Sequence, residues 1–172
     1  MRRTTVFVLA VTFLWLLGGR TVWAQKYDDK EHAELAKALK DAKVSLEKGL
    51  SAGESQGKPI SGKFEVEDGK LQLSVYTMKG DKFSEVIVDH KTGKTAKTDA
   101  ITGGDDLTAA KAQSSAMAKA KASLASATEK AVKANNGFRA VSATPSIKDG
   151  HPVAEITLLK GEEFKTVSEK LD

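Results

Sequence analysis

The 172-residue sequence contains no cysteine. That absence excludes a disulfide framework, thiolate zinc sites, thiol catalysis and iron–sulfur ligation. It also excludes a diacylglyceryl anchor, which is built on a cysteine just after a leader. Aromatic side chains are scarce, with six Phe, two Tyr and two Trp, and both Trp15 and Trp23 fall in the first 24 residues. The rest of the chain must therefore build its core from Leu, Val, Ile and Ala. Proline is rare as well, at three residues. No strong excess of one charge is present, since 27 basic residues against 23 acidic ones give +4. The longest apolar stretch, Val6 to Gly19, spans 14 residues, short of the ~20 that a membrane-crossing helix needs.

That stretch has a different reading. Arg2 and Arg3 precede it, only Thr12 interrupts its core from Val6 to Leu17, and Val22-Trp23-Ala24 follows. A basic start, an apolar middle and small residues at a cleavage site are the parts of a secretory signal peptide. The expectation is a signal over 1–24, cleaved after Ala24, and a periplasmic or extracellular protein that is not a lipoprotein. Arg2, Arg3 and Arg20 leave with the signal and no acid does, so 24 bases face 23 acids and the charge falls to +1. A nearly neutral protein has no electrostatic footprint for nucleic acid. Without its signal it has no stable membrane anchor.

After a polar lead over Gln25 to Lys30, Leu35, Leu39, Ala42, Leu46 and Leu50 recur at helical spacing. Asp28 or Asp29 is a candidate cap, and Gly49, Gly53, Gly57 and Pro59 read as the end of the helix and a loop. The period then changes to two. Phe64 and Val66, then Leu71, Leu73 and Val75, then Phe83 to Asp89 read as three strands. Asp68-Gly69, Lys79-Gly80 and Lys91 to Lys94 supply turns. Ile101 to Asp106 reads as a linker, with Asp105 or Asp106 capping a second helix over Leu107 to Asn135. In it Ala110, Met117, Leu124 and Ala131 form a narrow seam, and Asn135-Asn136-Gly137 provides the stop. Three more strands follow, over Phe138 to Ile147, Val153 to Leu159 and Glu163 to Leu171, with turns at Asp149-Gly150 and Gly161.

The halves repeat. At an offset of 81, Val66 falls on Ile147, Asp68-Gly69 on Asp149-Gly150, Val75 on Ile156, Gly80 on Gly161 and Phe83 on Phe164. At an offset of 78, Ala42-Lys43-Val44-Ser45-Leu46 falls on Ala120-Lys121-Ala122-Ser123-Leu124. Matches at turn and core positions mark a duplicated fold. The expected class is α+β, as two tandem αβββ units over 25–104 and 105–172. Each is a helix packed on a three-stranded antiparallel meander.

The stretch Phe83 to Lys94 ends in Val88-Asp89-His90-Lys91-Thr92-Gly93-Lys94. In it, and in the helix and hairpins before it, the chain resembles the PepSY family. Asp89, Thr92 and Gly93 match the turn that closes a family unit, and the second half stops at Leu171-Asp172 before such a turn. The resemblance implies an exported, non-catalytic binding module that inhibits or regulates a peptidase, with no cofactor. Its partner would be a protein or peptide, a peptidase among the candidates, and a homodimer is compatible with it. The alternatives are a structural or oligomerising envelope protein and a metal- or small-ligand-binding sensor using His90 or His151. No His-Glu-x-x-His pair, nucleophile elbow or phosphate loop is present, so no catalytic, cofactor-binding or metal-binding residue is assigned. Lys111, Lys119, Lys121, Lys130 and Lys133 read as the solvated side of the Ala-rich helix.

Overall fold

The computed structural model describes the backbone of residues 22–172 and the side chains of 30–172. The expected signal therefore lies almost wholly outside the described residues, and the backbone at Ala24 is helical. The elements are α1 (Val22–Ala38), a 3₁₀ turn (Leu39–Asp41), α2 (Leu46–Gly53), β1 (Lys58–Glu67), β2 (Lys70–Lys79), β3 (Lys82–Val88) and β4 (Thr95–Ile101). Then come α3 (Gly104–Lys119), α4 (Leu124–Ala134), β5 (Arg139–Lys148), β6 (His151–Lys160) and β7 (Glu163–Lys170). The strands form one antiparallel sheet in the order β4-β3-β2-β1-β5-β6-β7. The fold is α+β.

The internal spacing recurs element by element. β1, β2 and β3 begin 81 residues before β5, β6 and β7, and Ser45 and Ser123, which cap α2 and α4, lie 78 apart. The register irregularity at Pro59/Ser61 in β1 recurs at Ala140/Ser142 in β5. Asp68 and Asp149 both have positive φ, as do Gly69, Gly150, Gly80 and Gly161. At the centre of the sheet Gly62 pairs with Ala143, the residue 81 positions on. An antiparallel pairing of equivalent residues sets an approximate two-fold axis through that pair.

Strand alternation separates the two faces. Leu73, Val75 and Thr77 face α2, because a Cβ added at Gly49 or Gly53 would strike Leu73 or Val75 at 2.6 Å. α4 lies beside α2 on this face and reaches β7 through Lys130 and Glu169, 2.7 Å apart. Leu46, Leu50, Ile60, Leu73, Val75, Val86, Leu124, Ile156 and Leu158 are fully buried there. α3 lies on the opposite face. Its Gln113 accepts a hydrogen bond from Ser61 at 2.7 Å, and its Ser114 approaches Met78 Sδ at 2.7 Å. α1 also reaches this second face, where His32 stacks on Phe164 at 4.0 Å. α1 packs on β1 and β2 and α3 on β5 and β6, so each leading helix covers its own half's second face and reaches across to the other half, α3 to β1 and α1 to Phe164.

Several expectations change. Neither long helix is continuous. The amides of Lys43 and Val44 donate to His90 O, those of Lys121 and Ala122 donate to Leu171 O, and Ser45 and Ser123 cap new helices after each break. Tertiary partners thus replace the next helical hydrogen bonds. The polar lead is part of α1, so Asp28 and Asp29 lie within it and do not cap it. Gly49 and Gly53 lie inside α2, where the sheet leaves no room for a side chain. Gly103 caps α3 with no side-chain bond, and Asp105 and Asp106 occupy its first turn, where carboxylates complement the helix dipole. The first half carries a fourth strand, β4, over residues left unassigned between the expected turn at Lys91 to Lys94 and the expected linker from Ile101, and Gly104 opens α3 instead of closing the first unit. The six expected strands join one sheet and do not form two.

Candidate functional site

The family-like turn lies between β3 and β4. Asp89 Oδ1 accepts from the amides of Lys91 and Thr92, both at 2.8 Å, and these bonds hold its carboxyl below the usual aspartate range. Gly93 has φ +76° and donates its amide to Asp89 O. Asp89 and Asp68 share the rim of an open depression of about 350 Å³ that also includes Glu67, Leu71 and His90. Gly80 lies at the other end of β2. The hairpin at Asp149-Gly150 is at the opposite end of the sheet from Asp68-Gly69, because β1 and β5 run antiparallel. The sequence-derived positions are therefore turn residues spread around the sheet, and the structure brings only Asp68 and Asp89 together.

The histidines are equally dispersed. His32 stacks on Phe164, His90 lies beside the Asp89 turn, and His151 Nδ1 sits 2.6 Å from Asp172 Oδ2. The His151 contact holds the Asp172 carboxyl below its usual range. Among the described residues no three His, Asp or Glu side chains are grouped so as to hold a metal.

A denser constellation lies on the second face of the first half. Register puts Lys63 opposite Ser74, Glu65 opposite Gln72, and Tyr76 opposite Glu85. Ser74 is fully buried; its hydroxyl donates to Glu65 Oε1 at 2.9 Å and accepts from Gln72 at 3.0 Å. Lys63 Nζ lies 2.6 Å from Glu65 Oε2 and 5.9 Å from the centre of the Tyr76 ring. Burial pushes the Glu85 carboxyl above the usual glutamate range; a Ser74 hydrogen bond opposes this and the Glu65 charge adds to it. The Ser74 hydroxyl is thus within reach of both carboxylates, and its single proton cannot serve both. Burial also raises the Tyr76 phenol far above its ordinary value, helped by Glu85, Glu65 and Asp106. Tyr76 therefore stays protonated beside Glu85.

Asp106 belongs to the first turn of α3, so the second half's leading helix borders this face. The positions 81 residues on, Thr144, Ser146, Glu155, Thr157 and Thr166, carry no matching set. Sequence reasoning missed the constellation because each member is an ordinary polar residue on the solvent side of an amphipathic strand. The available signal was the set of outward positions at which the repeat fails to match. Chemically the face offers two carboxylates, one ammonium and one phenol donor. It suits a basic or amide-bearing group of a partner. Its one hydroxyl–carboxylate pair, Ser74 with Glu65, has its serine fully buried.

No protein-family model matches the chain, and no curated protein matches it. A solved structure from Clostridium difficile 630, described as that of a "putative lipoprotein", is similar at TM-score 0.42 and 12% identity, over 77% of this chain and 89% of that one. Among the described residues no helix is long and apolar enough to cross a membrane.

Proposed function

We propose that the chain is an exported, non-catalytic protein- or peptide-binding module of PepSY type. In this reading it is built as two tandem αβββ units over 25–104 and 105–172, and it acts on a peptidase in the envelope or outside the cell. The observation that carries the binding reading is the Lys63, Glu65, Tyr76 and Glu85 constellation. The halves match at turns and core but differ here, where the equivalent positions of the second half carry three threonines, one serine and a single acid, Glu155, with no cation, and fold alone does not require charge on an outward strand position. The PepSY reading rests on the Asp89-x-x-Thr92-Gly93 turn and on the repeated spacing.

The test is steady-state cleavage by a secreted metallopeptidase in the presence of excess purified chain. The expected result is a slowed rate, restored when Glu65→Gln and Glu85→Gln are combined in the added chain. An unchanged rate at large molar excess would remove peptidase inhibition and leave binding to another protein.

A further inference from the structure

β7 is the last strand of the sheet among the described residues. Its counterpart in the first half, β3, is covered on its outer side by β4, with Val86 paired to Thr98. The burial of equivalent residues records the difference. Val86 is fully buried, whereas Val167, 81 positions on, is only half-buried. A strand laid along β7 would do for Val167 what β4 does for Val86.

The order of charges on β7 indicates which strand fits. Lys165, Val167 and Glu169 share the face on which α4 lies, since Val167 pairs with Ile156 and Glu169 reaches Lys130. Charged side chains on an edge strand ordinarily discourage foreign strands. A second copy is the exception when the order is self-complementary. In a two-fold antiparallel pairing with its axis normal to the sheet, opposed residues must point to the same face, so one residue sits opposite its own copy. Centring on Thr166 would oppose Glu163 to Glu169, and centring on Lys165 would oppose that lysine to itself. Centring on Val167 opposes Val167 to Val167, Thr166 to Ser168, and Lys165 to Glu169 on both sides of the axis. At the other edge, β4 has its charges already matched within one strand, with Lys97 Nζ 2.6 Å from Asp99. Lys165 has no carboxylate partner among the described residues and rests its ammonium 3.9 Å from the centre of the Phe138 ring.

We infer that β7 pairs with β7 of a second copy, antiparallel and centred on Val167, extending the sheet across a two-fold axis. The pairing repeats between chains what Gly62 and Ala143 do within one. It is independent of the binding reading above, since it uses the opposite edge of the molecule from the Glu85 face.

Sedimentation across a concentration series tests it. The intact chain is expected to dimerise. Lys165→Glu sets two pairs of like charges across the axis and raises the dimer dissociation constant about tenfold or more. Adding Glu169→Lys restores opposite charges and recovers dimerisation. Thermal melts of each variant report whether the monomer stays folded, since Glu169 also holds Lys130. A second readout uses the absence of cysteine. Val167→Cys should cross-link to itself on mild oxidation well ahead of Thr98→Cys on β4. A chain that stays monomeric at high concentration, a Lys165→Glu variant that dimerises as well as the parent, or equal cross-linking of the two cysteine variants would each overturn the inference.

Discussion

Gly49 shows how one residue can separate two halves that otherwise match. It lies inside α2, and a Cβ there would come within 2.6 Å of Leu73 Cδ2. The corresponding pair in the second half is Ala127 against Ala154, both buried. The volume is shared differently, with glycine facing leucine in one half and alanine facing alanine in the other. Gly49→Ala is expected to destabilise the protein by about 1–3 kcal/mol through overpacking, despite the up to ~1 kcal/mol that alanine gains within a helix. Leu73→Ala alone should cost about 2–5 kcal/mol. Combined, the two should cost less than their sum, by a coupling of about 0.5–3 kcal/mol, read from denaturant unfolding of the four species. Strict additivity would show that the glycine is not there for leucine.

Glu85 carries the corresponding electrostatic cost. Its folded pKa is raised, mainly by burial, so its contribution to stability is fully present below the unfolded glutamate pKa and is lost as pH rises through the folded value. At neutral pH the ionised carboxylate therefore opposes folding. Glu85→Gln is expected to melt higher than the parent at pH 7, with the advantage shrinking as the pH falls toward the ordinary carboxylate range. Melting temperatures of the two proteins across that window check the sign. A destabilised variant at pH 7 would mean that the bonds to Tyr76 and Ser74 outweigh the burial.

At the scale of elements, the joints between helices are as systematic as the hairpins. Arg139, the first residue of β5, donates to Leu39 O at 3.0 Å and to Val44 O at 3.3 Å, and lies 5.4 Å from the Phe64 ring centre. Lys58, the first residue of β1, donates to Met117 O at 2.8 Å. Each half thus begins its sheet with a cation that holds the carbonyl end of the other half's leading helix, where positive charge is favourable. Removing Arg139 breaks two charge-assisted bonds and a ring contact, and removing Lys58 breaks one bond. Arg139→Ala is expected to cost about 1.5–3 kcal/mol and Lys58→Ala about 1 kcal/mol, measured as shifts in denaturation midpoint. The reverse order would contradict the assignment.

The elements also show what the sequence made legible. Asp68-Gly69 and Asp149-Gly150 could be read as hairpin turns because a tight reversal needs residues that tolerate positive φ. Phe64, Leu73, Val75 and Ile156 could be read as core because the alternation is local. The helix breaks at 42–45 and 120–123 were hidden because partners remote in sequence, His90 O and Leu171 O, take the amides there. Ser45 and Ser123 lay inside a block that reads as uninterrupted helix, although serine is also a strong N-cap. β4 was hidden because Ala96, Lys97, Asp99 and Ala100 have weak strand preference. It forms because the turn at Asp89 delivers it alongside β3.

For the whole molecule, the approximate two-fold axis at Gly62 and Ala143 explains why a chain so poor in aromatic residues folds into one body. Halves of this size have marginal cores. Here each gains a neighbour for its first strand and a helix beside its own. The polar constellation was not legible because it exists only after β1, β2 and β3 pair and α3 crosses from the other half. The repeat made the scaffold readable and concealed the site, which lies where the halves differ.

If the Glu65 and Glu85 face of the first half recognises a protein partner, as proposed, capture of that partner must depend on these two carboxyl groups. The most direct measurement immobilises the chain from residue 25 onward, beside the same chain carrying Glu65→Gln and Glu85→Gln, and passes envelope extract over both. The expected result is a protein retained by the parent and lost from the double variant, while both baits keep the same cooperative melt. Retention of the same proteins by both baits, or of none by either, would contradict it.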